Sequence, residues 1–144
     1  MSTLAVAGGG FLLAVLWFDL MFDVQARRLD EPDGEARLAS IADYYRRVTI
    51  EAYPANRLVA TVMLATIAGS LVQLWRMPSL RTLLALVLVG APVALAGGRV
   101  VPNAMRLGRR DDPVEVQRVL ARRILWDHVA CIAAIAAFLV LQVC

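Results

Sequence analysis

Lysine is absent from this 144-residue sequence, histidine occurs once, and cysteine occurs only twice. All fifteen basic residues are therefore arginine, which together with the abundant Ala, Val and Leu is typical of a GC-rich bacterial genome. Cys131 and Cys144 lie thirteen residues apart on one predicted helix, which corresponds to roughly 20 Å of rise. That separation excludes a disulfide between them, so we predict that both are packing residues.

The motifs of common soluble enzymes are also missing. The sequence contains no glycine-rich phosphate loop, no G-x-S-x-G motif, and no C-x-x-C or C-x-x-C-H pattern. Its single histidine, His128, comes without H-x-x-H, H-E-x-x-H or E-x-x-H spacing. We therefore predict no cofactor and no metal site, although Asp19, Asp23 and Glu51 could still converge on His128.

Charge is lacking from four long stretches of the chain. The charge-free runs are Met1–Phe18, Leu58–Trp75, Thr82–Gly98 and Val129–Cys144. Each forms roughly 24–27 Å of helix, slightly less than the ~30 Å of a bilayer core. Since 60% of the residues are hydrophobic and the mean hydropathy is +0.65, the chain is too apolar for an ordinary soluble domain.

These runs predict an all-α fold, a single-domain four-helix transmembrane bundle over residues 1–144, with spans at about 2–24, 54–75, 79–100 and 122–143. No basic residue precedes Arg27, so we predict a spanning helix at the N-terminus rather than a signal peptide. Small residues predict close helix contacts at Gly8–Gly10, at Ala65 with Gly69, and at Ala130 with Ala134.

The segments that connect the spans agree with the prediction of four spans. The turn Trp75–Ser79 is short enough only for an antiparallel hairpin, and Ser79 can cap the third helix. Pro92 is expected to kink that helix, and Val101-Pro102-Asn103 is expected to close it. Asp112-Pro113-Val114-Glu115 has the pattern of a helix start, from which one helix of about 30 residues can run to the C-terminus.

The loop from Arg27 to Pro54 has helical periodicity of its own. Leu38, Ile41, Tyr45 and Val48 recur at helical spacing between charged residues. This pattern predicts an amphipathic helix that lies on the cytoplasmic membrane surface or caps the bundle.

Arginine is distributed unequally between the two ends of the predicted bundle. Thirteen arginines belong to the loops after the first and third spans and to their helix ends: Arg27, Arg28, Arg37, Arg46, Arg47, Arg57, Arg99, Arg106, Arg109, Arg110, Arg118, Arg122 and Arg123. Only Arg76 and Arg81 lie at the opposite end. The positive-inside rule then predicts a bacterial cytoplasmic (inner) membrane protein with both termini on the non-cytoplasmic side. Because these loops explain the net charge of +3, we predict no nucleic-acid partner.

Polar residues gather where four helix ends meet on the predicted cytoplasmic side. Asp19 and Asp23 are one turn apart at the end of the first helix, at a depth where a carboxylate needs a partner. The candidate cations are Arg57, Arg99 and Arg123, and His128 is suited to be a base near neutral pH. Two interpretations remain open here: an ion-pair network that fixes helix register, or a functional cleft that opens to the membrane.

The last third of the chain resembles a known family. The turn Val101-Pro102-Asn103, followed by a long helix with Trp126-Asp127-His128 before an alanine-rich span, resembles the anthrone-oxygenase-like family of small four-helix membrane proteins. Here Ala130 stands where that family often has Arg, and the Asp19/Asp23 pair is not a family feature. The resemblance implies cofactor-independent oxygenation of a lipophilic polycyclic phenol, in which an anthrone becomes an anthraquinone.

Mapped onto this chain, the resemblance implies the following roles. His128 or Asp19, with Asp23 beside them, would remove a C–H proton, and Arg57, Arg99 or Arg123 would stabilise the enolate oxygen. Asn103 and Trp126 would complete the substrate-binding residues, although tryptophans such as Trp126 are also typical of membrane interfaces.

A non-catalytic function is the alternative. In that case the charge cluster would fix helix register in an accessory or scaffold subunit, in a homo-oligomer or beside a partner membrane subunit. The loop Arg27–Pro54, with Tyr44, Tyr45 and Tyr53, would then be its contact surface. A transporter is less favoured, since no broken-helix repeat is visible.

Overall fold

The computed structural model describes residues 3–143, with the backbone alone for Ala55. These residues contain six α-helices and no strand: α1 Thr3–Asp23, α2 Gly34–Tyr45, α3 Ala55–Arg76, α4 Leu80–Leu95, α5 Val101–Arg109 and α6 Val114–Val143. A 3₁₀ turn at Val24–Arg28 follows α1, and π-helical turns at Arg46–Glu51 and Ala96–Val100 follow α2 and α4. Cys144, predicted to pack, lies outside the described residues, as does the start of the predicted first span.

Four helical stretches are long and apolar enough to cross a bilayer. They are span 1 at Thr3–Arg28, span 2 at Asn56–Arg76, span 3 at Leu80–Arg109 and span 4 at Val114–Val143. Each span packs against two others, in the order 1, 2, 3, 4 and back to 1, which closes an antiparallel ring. The predicted all-α four-helix bundle is therefore confirmed.

The outside of the bundle is apolar. Large hydrophobic side chains such as Leu64, Val140 and Trp75 are exposed along the spans, and Trp75 reaches 84%. A soluble monomer rarely exposes so much contiguous apolar surface, whereas lipid tails cover it without cost. Together with the span lengths, this surface indicates a multi-pass integral membrane protein.

The amphipathic helix predicted between the first two spans is α2. Its residues Leu38, Ile41 and Tyr45 are buried in a cluster with residues of α5 and α6. α2 therefore caps one end of the bundle, which decides between the two positions that the sequence left open. At Gly108 in α5 a Cβ atom would come within 2.8 Å of the Arg46 nitrogen, so a residue without a side chain allows α2 and α5 to pack closely.

Glycines mark two of the predicted contacts between spans. A Cβ atom at Gly8 would lie 2.0 Å from the Thr66 hydroxyl of α3, and one at Gly9 would lie 2.8 Å from Phe138 of α6. Gly10 has open space beside it, and Ala130 is exposed. The contacts at Gly8 and Gly9 are confirmed, whereas the predictions for Gly10 and Ala130 are wrong because both residues face outward.

The helix boundaries were predicted well except at the end of span 3. Ser79 caps α4 in a reciprocal pair of hydrogen bonds with Thr82, as expected. The expected closure at Val101–Asn103 is wrong, because the chain continues through a π-helical turn and α5 to Arg109. Pro102 is tolerated there because it stands in the first turn of α5. α5 ends at Arg109, and the residue that follows it, Arg110, has a left-handed backbone (φ 57°).

Candidate functional site

A cavity of about 570 Å³ lies inside the bundle at the end that α2 caps. Its wall comes from all four spans and from the π-helical turn after α2, and most of it is apolar. The polar residues that line it are Asp19, Tyr45, Thr49, Tyr53, Asn56, Arg57 and His128. This volume falls in the range of small-molecule sites, and an apolar wall with a few polar groups is their usual composition. We call it the central cavity.

Asp23 and His128 form a buried pair beside the central cavity. The Asp23 carboxylate is fully buried, and its Oδ2 lies 2.6 Å from Nδ1 of His128. The Tyr45 hydroxyl donates a hydrogen bond of 2.6 Å to the other carboxylate oxygen. With its proton on Nδ1, the imidazole would donate to Asp23 as Tyr45 does. Nε2 is the ring nitrogen that Asp23 does not engage, and His128 also lines the central cavity.

Asp19 stands on the other side of the imidazole. Its Oδ2 lies 3.9 Å from Nε2 of His128, and the Tyr44 hydroxyl donates a 2.6 Å hydrogen bond to its Oδ1. The ring of Tyr44 is held in turn by stacking on Phe22, with 4.0 Å between ring centroids. Asp19, Asp23, Tyr44, Tyr45 and His128 thus form one chain of polar contacts, which we call the buried network.

Burial raises the pKa of the Tyr45 hydroxyl well above its usual value, and the charges of Asp23 and Asp19 and the hydrogen bond to Asp23 act in the same direction. The pKa of Tyr44 is also raised, by burial and by its contacts with Asp19. Both phenols therefore keep their protons at neutral pH and remain hydrogen-bond donors. As donors they orient the two carboxylates.

Only one of the three predicted arginines reaches the central cavity. Arg57 lines it and makes no ion pair with any described residue; its guanidinium carbon lies 4.8 Å from the ring centroid of Tyr53. Arg99 instead donates two hydrogen bonds to the buried carboxylate of Asp127. Arg123 is exposed and outside the wall of the cavity. The expected partnership of arginines with Asp19 and Asp23 is therefore wrong, because tyrosines and His128 take that position.

The two remaining predicted binding residues lie elsewhere. Trp126 is 57% exposed on the outer surface, where the guanidinium of Arg27 lies 5.8 Å from its ring centroid. Asn103 is partly buried in α5 and does not line the cavity. Of the predicted site residues, the structure thus brings together Asp19, Asp23, Arg57 and His128.

Sequence reasoning missed the role of the two tyrosines. Only the alternative, non-catalytic interpretation gave Tyr44 and Tyr45 a role, as part of a contact surface, yet Tyr45 is only 2% exposed. The pattern that could have identified Tyr45 was present, since it shares the buried face of α2 with Leu38 and Ile41. Tyr53 does remain exposed, at 66%.

Glu51, considered as a fourth ligand for a metal, is separate from the buried network. Its carboxylate lies 3.3 Å from the guanidinium of Arg46. Among residues 3–143, no group of three or more His, Cys, Asp or Glu side chains has the geometry to hold a metal ion.

No protein-family model matches this chain, and comparisons with curated proteins and with solved structures found no match. The central cavity and the buried network are therefore the features of this chain that bear on its function.

Proposed function

We propose that this membrane protein is an enzyme that removes a proton from a lipophilic phenolic or polycyclic substrate. The resulting carbanion then reacts directly with dioxygen, without a cofactor, as the resemblance to anthrone-oxygenase-like proteins implies. The observation that carries the proposal is the buried Asp23–His128 pair at the wall of the central cavity, in which Asp23 engages Nδ1 and leaves Nε2 without a contact to that carboxylate.

His128 is the base in this proposal, and Asp23 is its positioning residue. Asp23 holds the imidazole in one tautomer and stabilises the positive charge that the ring acquires on taking a proton. Tyr45 in turn fixes the carboxylate of Asp23. Asp19, 3.9 Å from Nε2, is close enough to bind the same part of the substrate or to accept the proton from the imidazole.

Arg57 is the electrostatic group of the proposed reaction. Loss of a proton next to a carbonyl transfers negative charge to the carbonyl oxygen. A guanidinium that has no ion-pair partner within residues 3–143 and lines a largely apolar cavity can stabilise that charge. The oxidation balances with dioxygen alone: two C–H bonds of the anthrone methylene are replaced by one C=O bond. One oxygen atom enters the product, and the other leaves as water with the two protons.

The bilayer is the proposed source of the substrate. Span 2 packs against spans 1 and 3 through α1 and α4, whereas within residues 3–143 it has little packing against Ala96–Arg109. Ala60 of span 2 and Val101 of α5 both line the cavity, and both are exposed. A lipophilic ring system could pass between these two elements without leaving the apolar phase.

We further propose that the end capped by α2 faces the cytoplasm of a bacterial cell. Thirteen of the fifteen arginines of the sequence belong to this end, and cytoplasmic loops of membrane proteins are rich in arginine and lysine. The hairpin between spans 2 and 3 and both termini are then outside.

Oxygen uptake tests the proposed activity. The purified protein, in lipid nanodiscs, is given a dihydroxyanthrone, and oxygen consumption and quinone absorbance are followed together. Replacement of the base, His128→Ala, is expected to lower the rate by about a hundredfold or more. The control Arg123→Ala removes an exposed charge outside the cavity and should leave the rate unchanged. Uptake by His128→Ala at the wild-type rate would refute the role of His128.

A non-catalytic accessory or scaffold function is the second candidate. The pair formed by Arg99 and the buried Asp127 joins span 3 to span 4, and such a pair can fix helix register in a homo-oligomer or beside a partner membrane subunit. This candidate predicts no oxygen uptake by the wild-type protein. It also predicts that Asp127→Asn weakens the assembly, which size-exclusion chromatography in detergent would detect.

A further inference from the structure

Tyr53 and Arg57 form a contact at the wall of the central cavity. Tyr53 lies in the turn that precedes α3, and Arg57 lies in the first turn of that helix. The guanidinium carbon of Arg57 is 4.8 Å from the centroid of the Tyr53 ring, which is within the range of a cation–π interaction. Both side chains line the cavity, and both are exposed. Because Tyr53 is 66% exposed, its ring is not a core-packing group.

This contact restrains the guanidinium of Arg57 without neutralising it. The sequence has no Asp or Glu between residues 52 and 110, and Arg57 makes no ion pair within residues 3–143. Arg99, by contrast, is paired with the buried carboxylate of Asp127, which holds the guanidinium but also cancels its charge. The ring of Tyr53 attracts a cation through its negative face and has no net charge of its own. The positive charge of Arg57 therefore stays available to a molecule in the cavity.

We propose that Tyr53 is a positioning residue, whose ring holds the guanidinium of Arg57 at the wall of the central cavity with its charge free to bind an anionic oxygen of the ligand. This inference rests on the proposed function, in which Arg57 stabilises the enolate oxygen. Without the ring, the long arginine side chain regains its rotamers and spends less time at the cavity wall. A cation–π contact at an exposed site corresponds to about a two- to fivefold change in an equilibrium constant, so the affinity for an anion should fall by that factor.

Binding of an anion without reaction tests the inference. Naphthoate and its uncharged analogue naphthamide are titrated under nitrogen into the full-length protein in phosphatidylcholine nanodiscs, and ligand fluorescence gives the dissociation constants. Tyr53→Leu is expected to weaken the binding of naphthoate about two- to fivefold and to leave the binding of naphthamide unchanged. Tyr53→Phe, the matched control, keeps the ring and should bind both ligands as the wild type does. If Tyr53→Leu does not fold, Tyr53→Met replaces it in the titration.

A double-mutant cycle separates positioning from a general structural role. In an Arg57→Gln background, Tyr53→Leu should have no further effect on the affinity for naphthoate, because the cation that the ring holds is gone. The inference is overturned if the wild type does not bind naphthoate, if Tyr53→Leu binds it as tightly as the wild type, if Tyr53→Phe weakens it equally, or if the effects of the two changes add. The titration uses neither oxygen nor His128. Coupling of Tyr53 to Arg57 in a protein without oxygen uptake would therefore contradict only the proposed reaction, and additive effects in a protein that takes up oxygen would overturn only this inference.

Discussion

Two tyrosine hydroxyls hold the two carboxylates of the site. Tyr45 donates a hydrogen bond to Asp23 and Tyr44 donates one to Asp19, each with a donor–acceptor distance of 2.6 Å. The imidazole of His128 lies between the two carboxylates. Asp19 and Asp23 are one turn apart on α1 and would repel each other if nothing intervened. The tyrosines belong to α2, so the cap of the bundle determines the geometry of the residues that we assign to catalysis.

Alkaline pH should destabilise the protein through these tyrosines. Burial and the neighbouring carboxylates raise the pKa of Tyr45 above the ordinary tyrosine value of 10.0, so the unfolded chain loses the phenol proton first. The contribution of Tyr45 to the free energy of unfolding is therefore constant below about pH 10 and falls as the pH rises further. Melting temperatures in detergent between about pH 8 and pH 11 measure this fall.

Tyr45→Phe removes the phenol hydroxyl and should make the alkaline fall in the free energy of unfolding less steep. At neutral pH the same variant should lose about 1–3 kcal/mol, because the buried Asp23 keeps one donor instead of two. Tyr53→Phe is the matched control, since its ring is exposed, and it should change neither the stability nor its pH dependence. An equally steep alkaline decline in Tyr45→Phe would show that another group is responsible.

At the residue scale, the sequence predicted which charges meet but not how they are satisfied. Asp19, Asp23 and His128 were expected to converge because ionised groups at membrane depth need partners. The tyrosine donors were out of reach of this reasoning: helical spacing indicates that Tyr45 is buried, but not which residue of α1 it faces. The pairing of arginines with Asp19 and Asp23 was wrong for a similar reason, since Arg99 forms its ion pair with the nearby Asp127.

Most of what the sequence patterns predicted correctly concerns the individual helices. Apolar spacing predicted α2, charge-free runs predicted the spans, and Ser79 identified the start of α4. Span 3 was expected to close at Val101–Asn103, just after its charge-free run ends at Gly98. Instead, a π-helical turn at Ala96–Val100 precedes Pro102, and helical geometry continues. Such turns often occur at functional sites, and both described here contribute residues to the wall of the central cavity.

The contact between α1 and α3 gives a test at the element scale. Gly8→Ala adds a Cβ atom 2.0 Å from the Thr66 hydroxyl, so the two helices must separate or Thr66 must move. We expect a loss of about 1–3 kcal/mol, measured by thermal unfolding in detergent. Gly10→Ala, two residues along the same helix, meets open space and should gain up to about 1 kcal/mol from helix propensity. Equal effects of the two changes would contradict the packing of α1 on α3.

The whole molecule combines a lipid-facing exterior with a polar interior at one end. Exposed apolar side chains surround the spans, whereas the buried network and the central cavity lie beneath α2. In the proposed function, this arrangement would allow a lipophilic substrate to reach His128 from the bilayer. It also requires that the end carrying α2 and thirteen arginines face a single side of the membrane.

Cysteine labelling in intact bacterial cells tests that orientation. In a Cys131→Ser, Cys144→Ser background, Met77→Cys lies in the exposed hairpin and Ala36→Cys lies on the exposed face of α2. A membrane-impermeant maleimide should label position 77 directly, and position 36 only after the cells are made permeable. The opposite pattern would reverse the proposed orientation.

Hydrogen exchange at the substrate tests the central claim most directly, because it requires the base and the cavity but no oxygen. A dihydroxyanthrone is incubated under nitrogen in D₂O with the protein in nanodiscs, and deuterium at its methylene carbon is followed by NMR. The account predicts that the wild-type protein accelerates this exchange and that His128→Ala returns it to the rate without protein. Exchange by His128→Ala as fast as by the wild type, or no acceleration by the wild type, would contradict it.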